Sequence, residues 1–189
     1  GLFKYIGENF SKIPREFYNM SKRKLENKKY LYWSIFLKNI DKTEDVKKIL
    51  RELKSDNETI GNTVLLVKEL RRELCESDEE IRLSLHRLGY ELFEDYISII
   101  KSDDEKKSQE RISDIEKRYK IIKKEGHAIN IGMLDITGKE LMEIGIPKGP
   151  KIGESLNYLL MKVIENPQIN SREKLLEISK QEITQNSKI

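Results

Sequence analysis

The sequence lacks the residues that build disulfide frameworks and membrane spans. Its 189 residues include one cysteine, Cys75, which excludes an intramolecular disulfide and a multi-thiolate metal site. No apolar run approaches the roughly 18 residues that a membrane span needs, and we expect no secretory signal peptide. We therefore expect a cytoplasmic location and no membrane partner. The chain begins with Gly1 rather than Met, so we expect either an excised fragment or a residue left by a tag.

Recognisable catalytic motifs are also missing. The chain has no Asp-x-Asp pair for divalent ions, no Gly-x4-Gly-Lys-Ser/Thr loop and no Gly-x-Gly-x-x-Gly. His86 falls within a helical pattern and predicts a surface or packing role, whereas His127 follows Gly126 and predicts a role at a helix end. No histidine is near Cys75 in the sequence, which favours a buried or a bystander thiol over a nucleophile. We expect no catalytic residue, metal site or cofactor in this chain, which alone is not expected to be an enzyme.

Charge is abundant and unevenly distributed. Charged residues make up 37 % of the chain and hydrophobic residues another 37 %, with a net charge of +3. Residues 1–40 hold nine Lys or Arg against three Asp or Glu, whereas residues 41–100 hold ten against fifteen. A basic end favours a polyanionic partner, although Lys and Glu on solvated helix surfaces give the same composition.

Capping patterns mark the starts of several helices. A capping box places Ser or Thr three residues before Glu, so that each side chain accepts from the other residue's amide. This pattern predicts helix starts at Ser55, Ser77, Ser102 and Thr137, with looser versions at Asp41 and Asn170. Apolar spacing then predicts helices at about 43–54, 57–75, 78–100, 103–124, 138–144, 150–165 and 171–181, and a buried helix around Trp33.

The predicted fold class is all-α, because no run alternates with the period of a strand. Helical periodicity lapses between Gly126 and Asp135, which indicates an elongated multi-helix array of two helical subdomains. Many helices have an apolar face, so an oligomer is a possible state.

The most specific motif is a turn between two predicted helices, within residues 137–153. Gly145 suits the left-handed end of one helix, and Pro150 suits the first turn of the next. Gly149 allows close approach to the backbone, and Lys148 and Lys151 flank it. Free amides at a helix N-terminus with two cations suit a phosphate, whereas a turn whose glycines only allow close packing explains the same residues. Both interpretations stay open on these grounds.

The stretch from Asp135 to Glu177 resembles the C-terminal region of bacterial class II tRNA nucleotidyltransferases, the CCA-adding enzymes and their poly(A) polymerase relatives. It reads DITGKELMEIGIPKGPKIGESLNYLLMKVIENPQINSREKLLE. The shared succession is Asp, Thr/Asn-Gly-x-Asp/Glu-Leu, a Gly-Ile-x-x-Gly-Pro turn, Ile-Gly and a Leu-rich helix, often followed by Asn-x-x-Glu. Residues 56–100 resemble the helix pair that precedes the tail in this family, more loosely but in the same order. The Glu-Asp-x-x-Arg motif with which the family's neck selects the nucleobase has no counterpart in this sequence.

The resemblance implies a body and tail fragment without the catalytic head. Residues 1–102 would be the end of the neck and the body, and residues 103–189 the tail with a helix-hairpin-helix-like turn. The implied partner is tRNA, held at its top half through backbone phosphates. The head and neck of the same polypeptide would use Mg²⁺ and CTP or ATP to extend the 3′ end.

These expectations select candidate RNA-binding residues. Helix packing is the favoured role of Gly153, which is nevertheless kept among them. Alternatives are a helix-hairpin-helix module for DNA or other RNA and a helical protein-interaction domain. The predicted phosphate-binding residues are Lys139, Gly145, Lys148, Gly149, Lys151 and Gly153, with Lys120, Lys123 and Lys124 as weaker candidates.

Overall fold

Helices account for all the regular structure in the described part of the chain. The computed structural model describes residues 28–102 and 106–186. Most of the basic N-terminal segment lies outside these residues. The all-α prediction is confirmed for the described residues. In chain order the helices are α1 Lys29–Leu37, α2 Thr43–Glu52, α3 Asn57–Leu70, α4 Asp78–Ile100, α5 Lys106–Glu125, α6 Gly138–Glu143, α7 Pro150–Glu165 and α8 Arg172–Asn186, with short 3₁₀ turns at Ile131–Met133 and Pro167–Ile169.

Two compact units share the described chain. The first comprises the described residues up to Cys75 together with Arg87–Lys117, and the second comprises Glu76–His86 and the chain from Arg118 onward. Helices α4 and α5 each contribute to both units. The division into neck-and-body and tail at residue 102 concerns the regions of the resembled family and stays a prediction.

The helices α1, α2 and α3 enclose a core in the first unit. Trp33 and Phe36 of α1 pack against this core with their rings 6.2 Å apart, edge to face. Because apolar residues recur every three or four positions, each helix buries one stripe. The predicted buried helix around Trp33 is therefore confirmed. The buried members are Leu37, Val46, Ile49, Leu50, Ile60, Val64 and Val67.

Two buried carboxylates in the first unit have paired partners. Glu69, which is 3 % exposed, accepts from the guanidinium of Arg87 at 2.8 and 2.6 Å. Asp95 accepts from the Tyr30 hydroxyl at 2.8 Å and from the Lys28 ammonium at 3.2 Å. Burial and the bond to Asp95 raise the pKa of Tyr30 to about 12. Since an unpaired buried charge is costly, these contacts hold α3 and the start of α1 to α4.

The second unit is built around α7. Its buried residues Leu159, Leu160, Val163 and Ile164 share one core with residues of α6, α8 and the 128–136 segment. Arg82 of α4 donates from Nε to the carbonyl of Ile164 at 2.6 Å and from Nη2 to that of Glu165 at 3.2 Å. These carbonyls are among the last four of α7, which have no partner within the helix.

Two capping boxes are confirmed where they were predicted. The Ser77 hydroxyl accepts from the Glu80 amide at 3.1 Å, and the Glu80 carboxylate accepts from the Ser77 amide at 3.0 Å. Thr137 and Glu140 form the same reciprocal pair at the start of α6. The box predicted at Ser102 extends to residue 105, outside the described residues.

Two other predicted caps are wrong. Asp56 rather than Ser55 caps α3, because the Ser55 amide donates to the Leu50 carbonyl and completes the end of α2. Lys42 rather than Asp41 precedes α2, with no side-chain cap in the described chain.

Helix lengths also depart from prediction in places. Helix α3 ends at Leu70 rather than at 75, and the next residue, Arg71, donates from its guanidinium to the carbonyls of Lys38 and Asp41, both at 2.9 Å. Helix α4 has the predicted bounds, but Gly89 interrupts it with φ of 73°. Helix α8 continues to Asn186 rather than ending at 181.

Candidate nucleic-acid interface

Helix α6 ends in a Schellman motif that fixes the first half of the turn. Gly145 has φ of 103°, its amide donates to the Met142 carbonyl at 3.0 Å, and the Ile146 amide donates to the Leu141 carbonyl at 3.0 Å. Leu141 and Ile146 are both buried. The chain therefore enters the turn from a fixed, core-anchored position, as the sequence predicted for Gly145.

The second half of the turn presents the N-terminus of α7 to solvent. Gly149 has φ of 127° and precedes Pro150, the first residue of the helix. No side chain of the described residues caps this end, and Lys148, Gly149, Pro150 and Lys151 are all exposed. Pro150 has no amide hydrogen, and the Ile152 amide donates to the Gly149 carbonyl at 3.1 Å. The Lys151 amide is therefore a group that an anion can reach from solvent at this end of the helix.

Three exposed lysines accompany the turn in the chain. Lys139, Lys148 and Lys151 form no ion pair with any other described residue. Lys120 and Lys124 are exposed on α5 in the same unit, and the Lys123 ammonium lies 5.6 Å from the ring centroid of Tyr119. The ammonium groups at the turn are thus free to meet a ligand.

The glycine that permits close helix packing is Gly138, not Gly153. A Cβ atom at Gly138 would lie 2.8 Å from Cγ2 of Ile152, whereas a Cβ atom at Gly153 would meet no atom of the described residues within 4 Å. The packing role predicted for Gly153 is therefore wrong. The sequence does not reveal this difference, because crowding depends on which helix faces the residue.

A polar network joins the residues before and within α6 to the start of α8. Asn170 accepts from the Asp135 amide and donates to the Met133 carbonyl, both at 3.0 Å. Asp135 Oδ2 accepts from the Arg172 amide at 3.0 Å, and Arg172 Nε donates to Glu140 Oε1. We call Asp135, Glu140, Asn170 and Arg172 the clamp.

The clamp corrects the prediction for Asn170, which does not form the cap box predicted with Glu173. Its side chain is already engaged by the 133–135 segment, so Asp135 binds the first amide of α8 instead. The bond from Arg172, followed by those from Thr137, lowers the pKa of Glu140 to about 2. Spacing along the chain could not reveal a network whose partners are up to 37 residues apart.

The two histidines and the cysteine considered as candidate reactive groups have structural surroundings. His86 Nδ1 lies 2.8 Å from the Ile129 carbonyl oxygen, and the His127 amide donates to the Ile122 carbonyl at 3.2 Å beside left-handed Gly126. Cys75 is buried, as predicted. Within residues 28–102 and 106–186, no three His, Cys, Asp or Glu side chains cluster where they could hold a metal ion. What the turn exposes is the start of α7 with the side chains of Lys148 and Lys151, and ammonium groups and helix N-termini are groups that attract anions in general.

A family model described as tRNA nucleotidyltransferase domain 2 matches residues 24–179. The chain belongs to this family. No curated protein and no solved structure matches the chain. The turn, the clamp and every predicted RNA-binding residue of this tRNA nucleotidyltransferase domain fall inside the matched residues. None of its described helices has the length and apolarity to cross a membrane.

Proposed function

We propose that this chain is the tRNA-binding body and tail part of a nucleotidyltransferase that adds CCA or A, related to the bacterial class II enzymes. The turn between α6 and α7 holds a backbone phosphate of the tRNA top half. Family membership supports tRNA as the partner. The single observation that carries the site is the exposed, uncapped start of α7 between Lys148 and Lys151.

The chemistry of the turn suits double-helical RNA. Such RNA presents mainly phosphates, 2′-hydroxyl groups and its shape, because its major groove is too narrow for side chains to read. Backbone amides and lysine ammonium groups bind phosphates without reading bases. A recogniser of the tRNA top half therefore needs the groups that this turn exposes.

Nucleotide addition would be performed by other regions of the parent protein. We infer a catalytic head and a neck in the same polypeptide, acting in the cytoplasm with Mg²⁺ and CTP or ATP. In that arrangement the residues of this chain bind and orient tRNA, and the head acts on the 3′ end.

The double variant Lys148→Glu/Lys151→Glu tests the site. Two reversed charges at the turn should weaken binding of intact tRNA by about tenfold or more, and should reduce the slope of log affinity against log salt by about 1–2. Filter binding at several salt concentrations measures both quantities. The matched control is Lys48→Glu/Lys68→Glu, which makes the same charge change at exposed positions of the first unit.

Unchanged tRNA affinity in the folded Lys148→Glu/Lys151→Glu variant would refute the site. Equal competition by linear duplex DNA and tRNA would instead favour a general helix-hairpin-helix module. A binding constant that does not respond to salt would favour a protein-interaction domain, because phosphate contacts release counterions.

A further inference from the structure

We propose that the clamp positions the turn between α6 and α7 for its RNA ligand, with Arg172 as a positioning residue that does not itself touch RNA. The inference rests on the proposed function. It assigns a role to four polar residues outside the turn, two of which come from the chain after α7.

The two ends of the turn are secured very differently. Helix α7 has 16 residues, and Leu159 and Val163 are fully buried in the core. Helix α6 has only six residues, too few to persist without support, because helix nucleation is unfavourable. Leu141 is the buried residue of α6, so the position of the helix, and hence that of Gly145 and Ile146, depends on this anchor in the core and on polar contacts made from outside the helix.

Glu140 is the point where those contacts meet. Its Oε2 accepts from the amide and the hydroxyl of Thr137, both at 2.9 Å, which closes the first turn of α6. Its Oε1 accepts from Arg172, which belongs to α8. One carboxylate therefore both caps α6 and fastens it to another helix.

Asp135 and Asn170 brace the same junction from the other side. Asn170 bridges the carbonyl of Met133 and the amide of Asp135, both at 3.0 Å. Asp135 then binds the amide of Arg172 at 3.0 Å. The backbone before α6 and the backbone at the start of α8 are thus held by side chains of both segments.

The surroundings of Arg172 argue against a direct phosphate contact. Its side chain is 56 % exposed, but Nε is bound to the Glu140 carboxylate and the Asp135 carboxylate binds its amide. Two carboxylates at this position oppose the approach of a phosphate, whereas Lys148 and Lys151 have no such neighbour among their described contacts.

The test compares Arg172→Ala, Arg172→Lys and the matched control Lys162→Ala in the full chain. Like Arg172→Ala, the Lys162→Ala variant removes one positive charge and one surface ion pair, in this case the pair with Glu165 at 3.4 Å. We expect Arg172→Ala to weaken tRNA binding about fivefold, the effect of roughly 1 kcal/mol, with the salt slope unchanged. Arg172→Lys should recover much of the affinity. Amide hydrogen exchange should accelerate at residues 138–147 in Arg172→Ala and not in Lys162→Ala.

Three results would overturn the inference. The first is equal tRNA affinity of Arg172→Ala and Lys162→Ala, and the second is unchanged hydrogen exchange at residues 138–147 in Arg172→Ala. The third is a salt slope reduced by about 1 in Arg172→Ala, because such a reduction marks a direct phosphate contact. Failure of the proposed function has a different signature, since Lys148→Glu/Lys151→Glu would then bind tRNA like the parent chain. Hydrogen exchange decides whether the clamp holds the turn in either case.

Discussion

Gly138 and Gly153 allow the same substitution to be tested with opposite expected signs. In Gly138→Ala the new methyl group would lie 2.8 Å from Cγ2 of Ile152, well inside the roughly 3.5–4.0 Å of a comfortable carbon–carbon contact. Ile152 is β-branched and packs against the core of the second unit, so the helices must move apart. Overpacking of this kind costs about 1–3 kcal/mol, and we expect the free energy of unfolding to fall by about 1–2 kcal/mol.

Gly153→Ala should instead stabilise the protein. A Cβ atom there meets no atom within 4 Å in the part of the chain that the structure describes, and Gly153 lies inside α7. Replacing glycine by alanine in a helix interior gains about 0.5–1 kcal/mol. If the backbone of Gly153 approaches a phosphate, tRNA affinity should fall in this variant even though its stability rises.

Urea unfolding followed by far-ultraviolet circular dichroism measures both changes, because the helices of both units contribute to the signal. Fluorescence of Trp33, the single tryptophan, reports on the first unit and should move much less. The reasoning is refuted if Gly138→Ala is as stable as the parent chain, or if Gly153→Ala is destabilised.

Two further predictions concern charged side chains. Glu140→Gln should lower stability near neutral pH, and the stability difference from the parent chain should shrink as pH falls from about 4.5 to about 2, where the parent carboxylate becomes protonated. Thermal unfolding across this range measures that difference, with Glu143→Gln on the same helix as the control. A difference that stays constant with pH would contradict the prediction. Glu69→Ala should destabilise the first unit by about 3–5 kcal/mol, because it leaves the part-buried Arg87 guanidinium without its carboxylate; Trp33 fluorescence in urea measures this loss, and a loss no larger than that of exposed Glu58→Ala would contradict it.

The helix starts that could be predicted are those decided within three residues. Ser77 and Thr137 each form their capping box with a glutamate three residues away, so the contacts that make the cap are local. The predictions at Ser55 and Asn170 fail because other segments already engage these residues: the end of α2 engages the Ser55 amide, and the 133–135 segment engages the Asn170 side chain.

The predicted site shows the same limit. The sequence predicts the glycines, Pro150 and lysines of the turn, because left-handed helix ends and first-turn prolines have local signatures. The sequence does not predict the clamp, because Arg172 and Glu140 are 32 residues apart and only the folded chain brings them together. Arg82 was missed as well, because its carbonyl partners lie 82 and 83 residues away.

Because α4 contributes residues to both units, neither unit can be expressed alone by cutting the chain at a single position. A fragment starting at residue 103 would lack Arg82, whose guanidinium closes the end of α7, and Leu83, which packs against the second core. It would also lack Asp78, the partner of Arg118 at 2.6 Å. An isolated tail should therefore be designed with residues 76–86 retained or grafted. Without them, a loss of RNA affinity would report an incomplete fold rather than a missing contact.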